Sequence, residues 1–266
     1  MWEPLIPKEV SDWMDKRMWG IHHKVWHFAR LWDLIPGLHT YVTDHGGRRA
    51  DRQEGMAGNG LDFLAMHRNM IRMLRYQFPR YEGLWHGWNA VPTEPDNPLD
   101  PTDAMPPENG HRAFNPEMLK AIDILTNHLG DFGTDDDLGL FIETRNRPLM
   151  CEPGRKSPDP KTGIHNYLHG RFALQVNGCN PDMTVSMGNF LGNIKNQRFW
   201  RLHGWIDQRW TLFRKIKGLD ENQPAYQAAL KEQMVPMDPM GNMCTLESDV
   251  RLTLDFLTEG FEFTKR

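Results

Sequence analysis

The sequence predicts a mostly α-helical fold, a helical bundle joined by long Pro- and Gly-rich loops. Three observations point there. Apolar residues recur at three- and four-residue steps through several segments, the spacing that gathers them on one face of a helix. Only residues 138–144 offer a short strand or a helical turn. The 19 prolines and 23 glycines crowd between the periodic segments and punctuate them.

Taken in order, residues 10–34 read as one amphipathic helix. Val10, Trp13, Met14, Met18, Ile21, Val25, Phe28, Leu31 and Trp32 form its apolar side, and Pro36-Gly37 stops it. Residues 45–60 are Gly- and Arg-rich and form a loop. A second helix spans 61–78 and buries Phe63, Leu64, Met66, His67, Met70, Ile71, Met73 and Leu74. Prolines 92, 95, 98, 101, 106 and 107 make residues 79–107 an extended connection. A third helix covers 116–129, with Asn115 as its N-cap. Residues 131–163 are turn-rich. Helices then follow at 164–174, 197–216, 224–234 and 248–261.

The 266 residues suffice for one large domain with a substantial core. A net charge of -4 points to no nucleic acid and no anionic membrane as partner. Cys151, Cys179 and Cys244 stand apart, which argues against a disulfide framework and against a Cys-ligated zinc site. The N-terminus Met1-Trp2-Glu3-Pro4 lacks the basic and apolar regions of a signal peptide. No apolar run approaches the roughly 20 residues of a membrane span. The expectation is a soluble, cytoplasmic protein. Ten tryptophans and sixteen methionines predict a thick, aromatic-lined interior.

Two short strings carry the chemistry. In His22-His23-Lys24-Val25-Trp26-His27, and again in His165-Asn166-Tyr167-Leu168-His169, two histidines lie four residues apart. On a helix, both imidazoles of such a pair leave the same face one turn apart. A further histidine follows each pair on another predicted helix, His67 after the first and His203 after the second. Two sets of three neutral imidazoles suit two copper ions with room left for dioxygen. A single such pair would more simply be a pair of core histidines, but the doubled pattern favours a bundle enclosing a binuclear metal site. Ligand sites in bundles are built from inward side chains on facing helices. The two sets lie on either side of the Pro-rich connection and must meet, so that connection reads as a surface excursion of one domain spanning 1–266.

The residues around these histidines resemble the type-3 copper family, which includes tyrosinases, catechol oxidases, phenoloxidases and hemocyanins. His22-His23-x-x-Trp26-His27 is similar to the first-copper motif of arthropod hemocyanins and phenoloxidases, and Phe63-Leu64-Ala65-Met66-His67 to the run holding its third ligand. His165-Asn166-x-x-His169 and Phe199-x-x-x-His203-x-x-x-Asp207 resemble the second-copper motif, as does the approach from Met183-Thr184 to Arg198-Phe199-Trp200. The resemblance covers about residues 22–78 and 164–210. It implies His23, His27 and His67 on one copper and His165, His169 and His203 on the other, with His22 a neighbour. Gln197-Arg198 stands where the family has Asp-Pro, and no Cys-x-His supplies a thioether-linked ligand. A tyrosinase-like register would instead draw on His39 or His45, but it finds Gly58-Asn59 where its ligand belongs. His86, His111 and His128 read as surface or loop residues.

The resemblance further implies oxidation of phenols, catechols or o-aminophenols to quinone-type products with dioxygen as co-substrate. The alternative is a hemocyanin-like oxygen carrier without turnover, to which a short chain with no room for extra domains is poorly suited. Hydroxylating a monophenol needs a base for its proton. In tyrosinases the Asn after the first ligand of the second copper helps an upstream Glu hold a basic water. Asn166 occupies the first place. Ser157 and Lys156 stand near the second, so the role falls to Glu152 or to Glu143, both further upstream. Trp26, Phe63, Trp200 and Trp205 would line the pocket or simply fill the core. Nothing in the sequence points to a particular copper-delivery partner.

Overall fold

A computed structural model describes residues 4–93, 114–144, 163–173 and 184–233. The expected helix at 248–261, the prolines from 95 to 107, His111, Glu152, Lys156, Ser157 and the three cysteines lie outside the described residues. The described residues are mostly helical, as predicted. They form nine α-helices: α1 Lys8–Lys16, α2 Trp19–Arg30, α3 His39–Asp44, α4 Asn59–Gln77, α5 Pro116–Asn127, α6 Asp135–Thr144, α7 Ile164–Ala173, α8 Gln197–Ile216 and α9 Pro224–Glu232. Strand-like pairing among them is limited to a single antiparallel bridge, Leu5 with Asn196. No helix of the described residues is long and apolar enough to cross a membrane.

α4 is the axis of the bundle. It is buried on most of its circumference, from Asn59 through Leu74, which is the pattern of a helix surrounded by protein. Its closest neighbour is α6, and the crossing depends on two glycines. A Cβ on Gly60 would come within 2.3 Å of the Asp136 carbonyl oxygen, and one on Gly139 within 2.1 Å of the Gly60 carbonyl oxygen. Only bare backbones approach so closely. On the other side, α4 packs on α8 and α9. Arg68 of α4 forms a buried ion pair with Asp207 of α8 and donates to Thr211 Oγ1 at 2.7 Å and to the Tyr226 hydroxyl of α9 at 2.9 Å.

One expectation is corrected and another extended. Residues 10–34 form two helices, not one. Met18 adopts the left-handed conformation (φ 53°) between α1 and α2. Trp13 and Trp19 meet across the break: six residues apart on a continuous helix they would point about 120° apart. In the broken chain their rings meet edge to face at 5.1 Å. Within the stretch expected to be turn-rich, the helical reading of residues 138–144 holds and extends: they are most of α6. That helix opens with a reciprocal cap, Asp137 N–H donating to Thr134 Oγ1 and Thr134 N–H to the Asp137 carboxylate. Asn115 caps α5 as expected, accepting from Glu117 N–H at 2.8 Å.

Candidate metal centre

Four helices deliver the six motif histidines to one place. α2 carries His23 and His27, α4 His67, α7 His165 and His169, and α8 His203. Five are buried and His169 is half-buried. The ligand atoms of His23, His27 and His67 all lie within 4.8 Å of one another, and so do those of His67, His165 and His203. His169 joins at the edge, its ring centroid 4.6 Å from that of His165 and 5.4 Å from that of His203. His67 therefore sits between the two groups, its ring stacked on that of His203 at 4.2 Å.

Backbone carbonyls aim four of these rings through their Nδ1–H groups. His67 donates to the Phe63 oxygen (2.9 Å) and His203 to the Phe199 oxygen (2.7 Å), each one turn back on its own helix. His23 donates to the Phe190 oxygen (3.0 Å) and His169 to the Met187 oxygen (2.8 Å), so one segment orients a histidine from each motif. That segment is pressed against α2, where a Cβ on Gly20 would stand 2.1 Å from the Leu191 oxygen. With Nδ1 carrying the proton, Nε2 presents its lone pair. The Nε2 atoms of His23, His27, His67 and His169 are buried and have no hydrogen-bond partner among the described residues. Those of His165 and His203 face each other at 3.1 Å.

Burial away from water lowers the pKa of all six rings, to about 4 for His23 and His169 and well below the usual value for His27, His67, His165 and His203. All six are neutral at pH 7, the form that binds metals. Buried lone pairs with no donor to meet them are costly. A set of convergent imidazole nitrogens is chemistry that suits copper, zinc, iron or nickel.

A pocket of about 340 Å³ reaches the cluster. Its apolar wall is Leu31, Ile35, Met187 and Phe190. None of the four aromatics expected to line the pocket does so, and the aromatic residue of its wall is Phe190. Phe63 lies within 4.6 Å of His67 and 4.7 Å of His165, and Trp26 meets His27 edge-on at 4.9 Å while donating from Nε1 to Gln233. Trp200 is in the core, packed on Trp85 and donating to the Ile194 oxygen, and Trp205 is buried beside the backbone of Gly87. Both belong to the core and not to the pocket wall.

Asn166 lines the pocket and donates from Nδ2 to a Glu54 carboxylate oxygen (3.3 Å) and to the Glu143 backbone oxygen (3.4 Å). Glu54 was not among the sequence candidates. Its loop is tied to the end of α2: Ala50 N–H and Gln53 Nε2 donate to the Ala29 oxygen, and Glu54 N–H to that of Arg30. Burial raises the Glu54 pKa to about 7, against the pull of the Asn166 hydrogen bond. Glu143 is buried behind it, accepts from Asn59 Nδ2 at 2.6 Å, and is raised further by burial and by the Glu54 charge. Asp207 accepts a hydrogen bond from Arg68, the residue next to His67, and pairs with its charge. The remaining described histidines lie elsewhere. His39 stacks on Trp32 and hydrogen-bonds its oxygen, His45 does the same with Tyr41, and His86 and His128 are exposed. No known protein family and no curated protein matches this chain.

Proposed function

We propose that this chain is a binuclear copper oxidase that uses dioxygen to convert phenols, catechols or o-aminophenols to quinone-type products. One observation carries the reading: six neutral imidazoles converge beside an accessible pocket, and the Nε2 atoms of four of them, His23, His27, His67 and His169, are buried without a hydrogen-bond partner among the described residues. The resemblance of both histidine motifs to type-3 copper proteins supports copper among the metals that imidazole suits. His23, His27 and His67 would hold one ion, and His165, His169 and His203 the other. When bound, the copper pair would supply the activation of dioxygen and the transfer of electrons to it.

The protein's own share is binding, orientation and proton handling. Leu31, Ile35, Met187 and Phe190 exclude water from one side of a flat aromatic ring. Glu54 takes the part expected of the upstream carboxylate. Asn166 holds one carboxylate oxygen and leaves the other to accept the proton of a phenol hydroxyl or of a water beside it. A pKa near 7 suits a group that both takes and releases a proton at neutral pH. Each catechol gives up two electrons and two protons, so two catechols balance one dioxygen reduced to two waters. The open pocket favours turnover over oxygen carriage.

Aerobic incubation of the copper-loaded protein with a panel of monophenols, catechols and o-aminophenols tests this. Quinone or quinone-imine absorption with matching oxygen uptake is expected for catechols and o-aminophenols. Protein with its full copper complement that oxidises none of them would overturn the oxidase reading in favour of the carrier.

A further inference from the structure

We propose that a second cavity, separated from the histidine pocket by Phe190, binds a carboxylate carried on a short arm of the aromatic substrate, with Lys24 as its anchor. The cavity has a volume of about 430 Å³ and is lined by Lys24, Phe28, Ser186 and Asn189, and by Gly188 and Phe190, which also line the histidine pocket. The two spaces are therefore neighbours with a common wall. The Phe190 ring stands between them, 5.3 Å from His27 on one side and 5.6 Å from Phe28 on the other.

α2 builds both sides. His23 and His27 face the metal-binding cluster, while Lys24 and Phe28 lie one residue further, about 100° around the helix, and face the second cavity. Lys24 is the only charged side chain among the described residues that line it. Its ammonium lies 3.9 Å from the centre of the Tyr41 ring and 5.1 Å from that of Phe28. It has no carboxylate partner among the described residues. Two aromatic faces hold the cation in place without neutralising it. The buried Ser186 hydroxyl accepts from Gly188 N–H at 3.4 Å, which leaves its O–H free to donate. A half-buried cation and a free hydroxyl that line one cavity make a site for a small anion. The second cavity adjoins a pocket whose one carboxyl, Glu54, disfavours an anion there. A ring with its hydroxyl toward Glu54 and its carboxylate past the edge of Phe190 satisfies both.

The proposal places the ring in the histidine pocket and so rests on the oxidase reading, but its test does not require turnover. For the copper-loaded protein, kcat/KM is compared for dihydroxyphenylpropanoate and the matching dihydroxyphenylpropanol. Calorimetric affinities are compared for phenylpropanoate and phenylpropanol, which have no hydroxyl on the ring to oxidise. The wild type should prefer the carboxylate in both assays, and the preference should shrink as salt is added. Lys24→Met keeps the stem over the rings and should lower the preference about ten-fold, while Lys24→Arg should retain it. A wild type without preference, or an undiminished preference in Lys24→Met, overturns the proposal. Turnover of neither catechol, with the calorimetric preference intact, overturns the oxidase reading and leaves the carboxylate site standing.

Discussion

Asn166 joins two stretches of chain that lie far apart in sequence, because its amide reaches the carboxylate of Glu54 and the backbone of Glu143. If Glu54 takes the phenol proton, losing its orientation should harm hydroxylation selectively. Asn166→Ala and Glu54→Gln should each lower monophenol hydroxylation on the order of 10²-fold and reduce catechol oxidation much less, with copper content retained. Steady-state rates on a matched monophenol and catechol check this, and an equal loss on both substrates would leave the pair a structural role. Asn166 was legible in the sequence because it sits beside His165 inside a motif. Glu54 was not. It lies in an aperiodic Gly- and Arg-rich loop, and hydrogen bonds to Ala29 and Arg30 place it, contacts that no local pattern announces. Trp200 and Trp205 show the converse: their proximity to His203 in sequence suggested a pocket wall, but both are buried in the core.

The helical periods of α4, α5 and α8 were readable, and so were the i, i+4 histidine pairs that depend on them. Two features were hidden. The break at Met18 leaves the apolar spacing on both sides intact and shows only as the Trp13–Trp19 contact. α6 was masked by its own Gly139, which lowers helical propensity locally but lets α4 approach. This makes a stability prediction at the crossing. Gly139→Ala should destabilise the protein by about 1–3 kcal/mol, because the added methyl meets the Gly60 backbone and something must shift. Gly170→Ala on α7 meets nothing within 4 Å and should be neutral or stabilising by about 0.4–1 kcal/mol. Denaturant midpoints measured side by side decide it, and a tolerated Gly139→Ala would contradict the close crossing.

Over the whole molecule, gathering six imidazoles, five of them buried and one half-buried, has a cost that depends on pH. Their folded pKa values are depressed, to about 4 for His23 and His169 and well below 6.5 for the other four. Below pH 6.5 the unfolded chain takes up protons that the folded chain does not, so these groups stabilise fully above that pH and their contribution is lost as pH falls toward 4. Glu54, Asp62 and Glu143, with pKa values raised by burial, act in the opposite sense over part of the window, but three groups oppose six. The metal-free protein should therefore have a lower urea midpoint at pH 5 than at pH 7, and a higher one would mean that the carboxyls dominate. Copper would occupy the lone pairs that the metal-free fold leaves unspent. The most direct test is a copper titration followed by metal analysis and electron spin resonance of the oxidised protein. The account predicts two copper ions per chain, magnetically coupled and hence silent; one ion per chain with an ordinary Cu(II) signal would contradict it.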